Sequence, residues 1–520
     1  MRRVLPVLLA LAALAAAGIV NIPTDSWIYD DIRLLKTAGL VRSPVSSTRP
    51  WTRAEAERLV LEADSLARAR APGLPQRAAL ERLRTEFGIG LPGVDFRHGP
   101  RRPLVRVPVP AGEGARFDAD LFSRAGFRHA DGSRVRASAG AVLGCRPGDR
   151  FAFYERAEFT VFQPDTFEVR DSAGEHVPGS RVHSWKGLGT FEIEHAYLAF
   201  RLPWQLRLEV GRDEFCWGPG RVSQVMLSDN APALDHVQLG AAWRGFRFLA
   251  FTAGLSRWGE KHRFLSAQRL EVSPWNWLTL GGALMNVYSW DSLQTRSFFG
   301  MMNPLIPIYF EVANSGHDDN FLVGWDAVVF LPGARLHGQL FLDNFEFIKR
   351  EWLPPNAVGW QAGAEWAPNL PVSAGVEYAR VNAFTYYHRI HHIMYEQYGV
   401  PLGHEIGPDA DQLDLRLGFV PLAGLTLGTR GSVTRRGFYN RGGFERRSWY
   451  AGQPLPESFP ARAGDEDVER SWYGGLEGDW RVTRDLRCRA EAGYRYSEHW
   501  QGMPENRSWL EAGVGFEYRY

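Results

Sequence analysis

From about residue 115 to the C-terminus, hydrophobic and polar positions alternate with a period of two. The end of the chain shows it most clearly. Leu510, Ala512, Val514, Phe516, Tyr518 and Tyr520 fall on one face, and Glu511, Gly513, Gly515, Glu517 and Arg519 on the other. Successive strand side chains point to opposite sides, so this pattern predicts a strand with one oily and one wet face. Leu486, Cys488, Ala490, Ala492, Tyr494 and Tyr496 alternate in the same way against Arg487, Arg489, Glu491, Gly493 and Arg495. So do Leu413, Leu415, Leu417 and Phe419, and Leu206, Leu208 and Val210. Such segments number roughly eighteen, within the even-numbered range of bacterial barrels.

The connections separate a closed barrel from a soluble sandwich. Short ones (145–149, 202–203, 244–245, 273–276, 332–334, 368–370, 421–423 and 482–484) alternate with longer ones. The longer ones span about 163–189, 214–235, 256–264, 287–320, 346–356, 381–410, 435–469 and 498–507. Outer-membrane barrels show this asymmetry, with short periplasmic turns and long extracellular loops. Trp204, Trp243, Trp275, Trp277, Trp366 and Trp480 sit beside the short turns, as an interfacial aromatic girdle would.

The first ninety residues read differently. Arg2 and Arg3 precede an apolar stretch from Val4 to Ala17, and Ala15-Ala16-Ala17-Gly18 offers small residues for cleavage. This predicts a cleaved secretory signal peptide over 1–17. Residues from about 24 to 90 predict helices. Ile28, Ile32 and Leu35 recur at helical spacing before Gly39, and Thr52-Arg53-Ala54-Glu55 forms a capping box ahead of Ala56, Leu59, Val60, Ala63 and Leu66. A Pro- and Arg-rich stretch over 91–114 follows. The expected organisation is a helical periplasmic region with linker over 18–114 and a barrel over 115–520. The fold class is thus an all-β transmembrane barrel of roughly eighteen antiparallel strands with a small N-terminal α-helical periplasmic domain.

Composition narrows the function. Mean hydropathy is −0.28, as expected when half of each strand faces water. The net charge of +1 argues against a nucleic-acid partner. Three cysteines, Cys145, Cys216 and Cys488, lie too far apart to make a disulfide framework.

The densest chemistry lies in the long connections. Gly211 to Gly220 contains Trp217-Gly218-Pro219-Gly220 and runs on to Leu227-Ser228-Asp229-Asn230-Ala231. Asn303-Pro304 is followed by Phe310–Asn320, with His317, Asp318 and Asp319. Glu377 to Asn382 leads to Tyr386-Tyr387-His388-Arg389 and then Leu402-Gly403-His404-Glu405-Ile406-Gly407-Pro408-Asp409. Aromatic rings match the apolar face of a sugar, and Arg pairs with the carboxylates of acidic polysaccharides. Gly-Pro-rich loops with Asn and Asp also arise from turn chemistry alone. His388, His391 and His392 lack Cys or carboxylate partners nearby, so no metal is expected. Asp318–Asn320 and Asp409–Asp411 follow no calcium-loop pattern. Ser228 with His236 or His404 would be the nominal pair for an enzyme, but nothing singles it out.

At these blocks the chain resembles the capsule assembly Wzi family, which has a WGPG segment followed by Leu-Ser-Asp-Asn-Ala, and later Leu-Gly-His-x-x-Gly-Pro-Asp. The segments Asp25–Leu40 and Arg49–Val60 resemble that family's periplasmic helical part. The resemblance implies an outer-membrane barrel without enzymatic activity or cofactor that binds and anchors capsular or other surface polysaccharide. Its partners would be that polysaccharide, outer-membrane lipid and the polysaccharide export machinery. Candidate contact residues are Trp217, Asn230, Tyr386, Tyr387, His388, Arg389, His404 and Asp409. A passive outer-membrane channel is the alternative, since an eighteen-strand barrel is wide enough to hold water.

Overall fold

The computed structural model describes residues 19–89, 104–108, 116–130, 132–148, 150–163, 183–185, 189–289, 303–315, 319–343, 345–346, 351–352, 357–388, 390–440, 459–460, 468–483, 485–500 and 504–519. The signal-peptide segment 1–17, His317, Asp318, Arg389 and Tyr520 lie outside the described residues.

Eighteen antiparallel strands close into one barrel. In chain order, β1 to β6 are Arg116–Ala130, Gly132–Gly148, Phe151–Gln163, Gly189–Arg201, Leu206–Asp213 and Leu234–Trp243. Next, β7 to β12 are Phe246–Trp258, Lys261–Trp275, Leu278–Ser289, Asn320–Leu331, Ala334–Asp343 and Val358–Trp366. Finally, β13 to β18 are Val372–Val381, Ala410–Leu422, Leu425–Arg436, Glu469–Arg481, Leu486–Glu498 and Arg507–Arg519. Closure pairs β18 with β1, placing Phe516 opposite Ala125 and Gly513 opposite Arg128. Every backbone group of a closed sheet finds a partner in the next strand, the condition for crossing lipid with strands.

The alternation read from the sequence sorts inside from outside. Leu510, Val514 and Phe516, like Leu415, Leu417 and Phe419, are exposed on the outer wall. No helix among the described residues is long and apolar enough to cross a membrane. At the short-turn end Trp204, Trp243, Trp275, Trp277, Trp366 and Trp480 are all exposed, and Trp275 stacks on Trp277 at 5.4 Å.

One long connection is not long. The 256–264 segment is hairpin rather than loop: β7 and β8 pair up to Trp258 and Lys261, leaving Gly259 and Glu260 as the turn. The ladder shifts register between Leu255 and Trp258, and this bulge breaks the alternation that marks a strand in sequence.

The helical part is α1 Trp27–Thr37, α2 Arg53–Ala69 and α3 Leu74–Phe87. Ser26 caps α1, and the Thr52/Glu55 capping box is formed at α2 with both reciprocal bonds. Ile28, Ile32, Leu35, Leu59, Val60 and Leu83 make a buried core that includes Val328 and Phe330 from the short-turn end of β10. The three helices therefore sit on the short-turn mouth of the barrel. They are fastened there by Lys36 to the Asn276 carbonyl (2.7 Å), Arg33 to Glu365 (3.2 Å), and an ion pair of Glu55 with Arg247.

Candidate functional site

The connector between α1 and α2 enters the barrel. Thr48–Arg49 forms a two-residue antiparallel ladder with Cys216–Trp217, which descends from the opposite end in the β5–β6 connection. Strand side chains of the lumen hold this junction. Glu271 accepts from the Ser47 amide, the Ser47 hydroxyl and the Thr48 hydroxyl at 2.9, 3.0 and 2.9 Å. Arg269 donates to Thr48 Oγ1 at 2.6 Å and pairs with Asp326 at 2.7 Å. These residues are all buried, and the opposite charges of Arg269 and the two carboxylates compensate one another in place.

The Trp-Gly-Pro-Gly segment is folded inward. Trp217 is fully buried, edge-on to Phe251 at 5.3 Å, and Phe215 stacks on Phe251 at 4.3 Å. Gln339 donates to the Trp217 carbonyl at 2.8 Å, and both Gln339 and Gln361 accept from the Val225 amide, at 2.8 and 2.9 Å. The Arg221 and Val222 amides bind the Glu377 carboxylate at 2.7 and 3.0 Å, and His337 meets the same carboxylate at 2.8 Å. The glycines are demanded by closeness. Gly218 has φ of 138°, and a Cβ there would lie 1.9 Å from the Gln339 amide nitrogen. A Cβ on Gly220 would lie 2.1 Å from Gln361.

A second inward segment, the β13–β14 connection, packs on the first. Tyr386 donates to the Val225 carbonyl at 2.8 Å and accepts from the His404 amide at 3.0 Å. Tyr395 donates to the Met226 carbonyl at 2.9 Å. The two tyrosine rings lie 5.9 Å apart and both touch Phe341. Asn230 donates to the Pro401 carbonyl at 3.1 Å, joining the two segments near the long-loop end.

The residues singled out by sequence are thereby placed. Trp217, Tyr386, Tyr387, His388, His404 and Asp409 are buried, and Asn230 is half-buried between segments. Trp217, Asn230, Tyr386 and His404 come together in the plug. Asp409, with φ of 55°, instead accepts from the Tyr439 amide at 3.0 Å and shapes the start of β14. Burial lowers the His388 and His404 imidazoles to about 4, so both are neutral near pH 7. His404 Nε2 meets no hydrogen-bond partner among the described residues. Burial likewise pushes the Cys216 thiol up to about 12, leaving it inert. Cys145, Cys216 and Cys488 are all free. Among the described residues no group of three or more His, Cys, Asp or Glu has the arrangement of a metal site. Ser228 bonds to Ser223 at 2.9 Å, while His236 is engaged with Glu209 at 3.0 Å, so the nominal nucleophile and this base do not meet.

Sequence reasoning missed the partners of the plug. Ser47, Thr48, Arg269, Glu271, Gln339 and Gln361 look like ordinary wet-face or linker residues. Their one signal is that amides and charges fall on the lumen parity of strands facing a Gly-Pro loop. Beside the plug, toward β12–β18 and β1–β3, two cavities of about 680 and 530 Å³ remain. Together they are lined by fourteen arginines and eleven carboxylates, an excess of three positive charges.

Comparisons with known proteins agree with this architecture. The solved structure of Wzi from Escherichia coli, described as an outer-membrane protein involved in group 1 capsule assembly and a carbohydrate-binding β-barrel, is similar over 96% of this chain and 99% of its own. Identity is 16% and the TM-score 0.60. OccK5 of Pseudomonas aeruginosa is more distant, with 12% identity over 78% of this chain and 97% of its own, and a TM-score of 0.44. No curated protein sequence matches the chain. The family profile described as capsule assembly protein Wzi matches residues 113–501. The chain, a barrel of eighteen strands with a helical cap and a lumen filled from both ends, belongs to the capsule assembly protein Wzi family.

Proposed function

We propose that this protein is a non-enzymatic outer-membrane component that binds capsular or other surface polysaccharide and anchors it at the cell surface. The helical cap then lies in the periplasm and the long connections face outward, where lipid surrounds the barrel and the export machinery delivers polymer. The observation that carries the reading is the Thr48–Arg49 ladder with Cys216–Trp217, where periplasmic and extracellular segments meet inside the lumen. A barrel filled in this way is suited to holding a polymer on its outer face rather than passing it. The carbohydrate binding ascribed to the Escherichia coli relative points the same way. In this reading Trp217, Asn230, Tyr386, Tyr387, His388, His404 and Asp409 build the floor beneath the binding face, while Arg389 remains a candidate contact.

The two arginine-lined cavities favour a second reading, a narrow anion-passing slot beside the plug. Planar-bilayer recording with a polysaccharide-binding assay on the same preparation separates the two. Saturable binding of the native surface polysaccharide with no stable conductance supports the anchor. Absent binding with steady anion-selective current supports the slot.

A further inference from the structure

The bulge in β7 re-aims one tryptophan. Leu255 lies in the lumen core and pairs with Arg263, whose guanidinium is buried and donates to the Met394 carbonyl at 2.6 Å. Lys261, two residues from Arg263, points to the same inner side. Trp258 is its cross-strand partner, three residues from Leu255 instead of two. Without the extra residue Trp258 would face lipid, as a girdle tryptophan does. With it, Trp258 turns over the lumen mouth and its ring meets His391, centroids 6.4 Å apart and edge-on.

The strap carrying His391 is held firmly to this hairpin. The Ser256 amide donates to Gln397 Oε1 at 2.6 Å, and Ser256 Oγ accepts from the Tyr398 amide at 3.0 Å. Arg263 braces it from below through the Glu396 carboxylate at 3.3 Å. Beside Trp258 stand Lys261, its cross-strand partner, and the strap histidines His391 and His392, all half-buried. Burial, then the neighbouring Lys261, Arg263 and His391, lower the His392 imidazole. A half-exposed indole beside amine and imidazole donors on a rigid backbone has the make-up of a site for a sugar ring bearing a carboxylate.

We propose that the Trp258 hairpin and the His391–His392 strap form the polymer-contacting platform, and that its ligand is an acidic, uronate-type glycan. This rests on the polysaccharide-binding reading above and adds its place and ligand class. Trp258 would stack on the sugar ring, with Lys261 engaging the carboxylate.

The test uses the full-length barrel in detergent with oligogalacturonate and, as a neutral control, dextran. Trp258→Ala with Lys261→Ala, and separately Lys261→Glu, are compared with the parent after heat-modifiability on gels confirms a folded barrel. The parent should bind oligogalacturonate and not dextran, and Kd should rise at least tenfold in both variants. Equal binding by parent and variants, equal binding of dextran, or no binding of oligogalacturonate by the parent overturns the platform. A parallel arm with the native surface polysaccharide keeps the two ideas apart. If it binds the parent while oligogalacturonate does not, only this inference falls. If neither binds, the polysaccharide-binding reading falls with it.

Discussion

Thr48, from the helical cap, and Trp217, from the connection between β5 and β6, face each other across an antiparallel ladder in the lumen. Their separation of about 170 residues in sequence is bridged by a floor of Arg269, Glu271, Gln339 and Gln361. Each predictable weakness of the protein follows from whether a residue belongs to that floor, to the wall or to the mouth.

Gly218→Ala should loosen the plug without unfolding the wall. The new methyl is forced against Gln339, which ties both the Trp217 carbonyl and the Val225 amide. Stranding the buried Trp217 carbonyl costs roughly 1–3 kcal/mol, while the Val225 amide keeps Gln361. Limited proteolysis should then cut within 214–233, and bilayer current should rise. A variant as resistant and as silent as the parent would remove Gly218 from the floor.

Val514→Arg should impair assembly. Val514 is exposed on the outer wall beside Phe127, its partner on β1. An arginine there costs roughly 2–4 kcal/mol if the site lies near the bilayer midplane. Urea titration of the barrel refolded in lipid measures the loss. Unchanged stability would overturn the assignment of this face to lipid.

Acid should release the β13–β14 segment. The folded His388 and His404 imidazoles lie at about 4, below their ordinary 6.5, because burial penalises the charged ring. The sign is that of a depressed base. Their contribution is fully present above about pH 6.5 and is lost as pH falls toward 4, on the order of 3 kcal/mol for each. Hydrogen exchange over 382–409 should accelerate through that window. His404→Gln should flatten the response, and a pH-independent segment would contradict the neutral assignment.

Orientation can be read on cells. With Cys145 and Cys488 replaced by serine, Glu260→Cys at the β7–β8 turn should label with an impermeant maleimide on intact cells. Ala423→Cys, in the exposed β14–β15 turn, should label only after lysis. The reverse pattern would invert the proposed topology.

Much of the wall was legible because a strand between lipid and water must alternate. Val514 and Phe516, or Leu415 and Leu417, have no other way to satisfy both sides. The Thr52/Glu55 capping box was legible because its chemistry is local. The plug was not. Trp217, Tyr386 and His404 carry the residue types of a ligand site, and composition does not say whether a connection folds outward to solvent or inward to the lumen. That choice depends on Gln339 and Gln361, more than a hundred residues from Trp217. Trp258 was hidden for a different reason, since the bulge that aims it also erases the period that would reveal its strand.

The central claim is that this filled barrel holds surface polysaccharide. The most direct measurement is equilibrium binding of the purified native surface polysaccharide to the detergent-solubilised, heat-modifiable protein. Saturable binding that survives in Gly218→Ala but falls at least tenfold in the Trp258→Ala, Lys261→Ala variant is the predicted result. No detectable binding by the folded parent would contradict it.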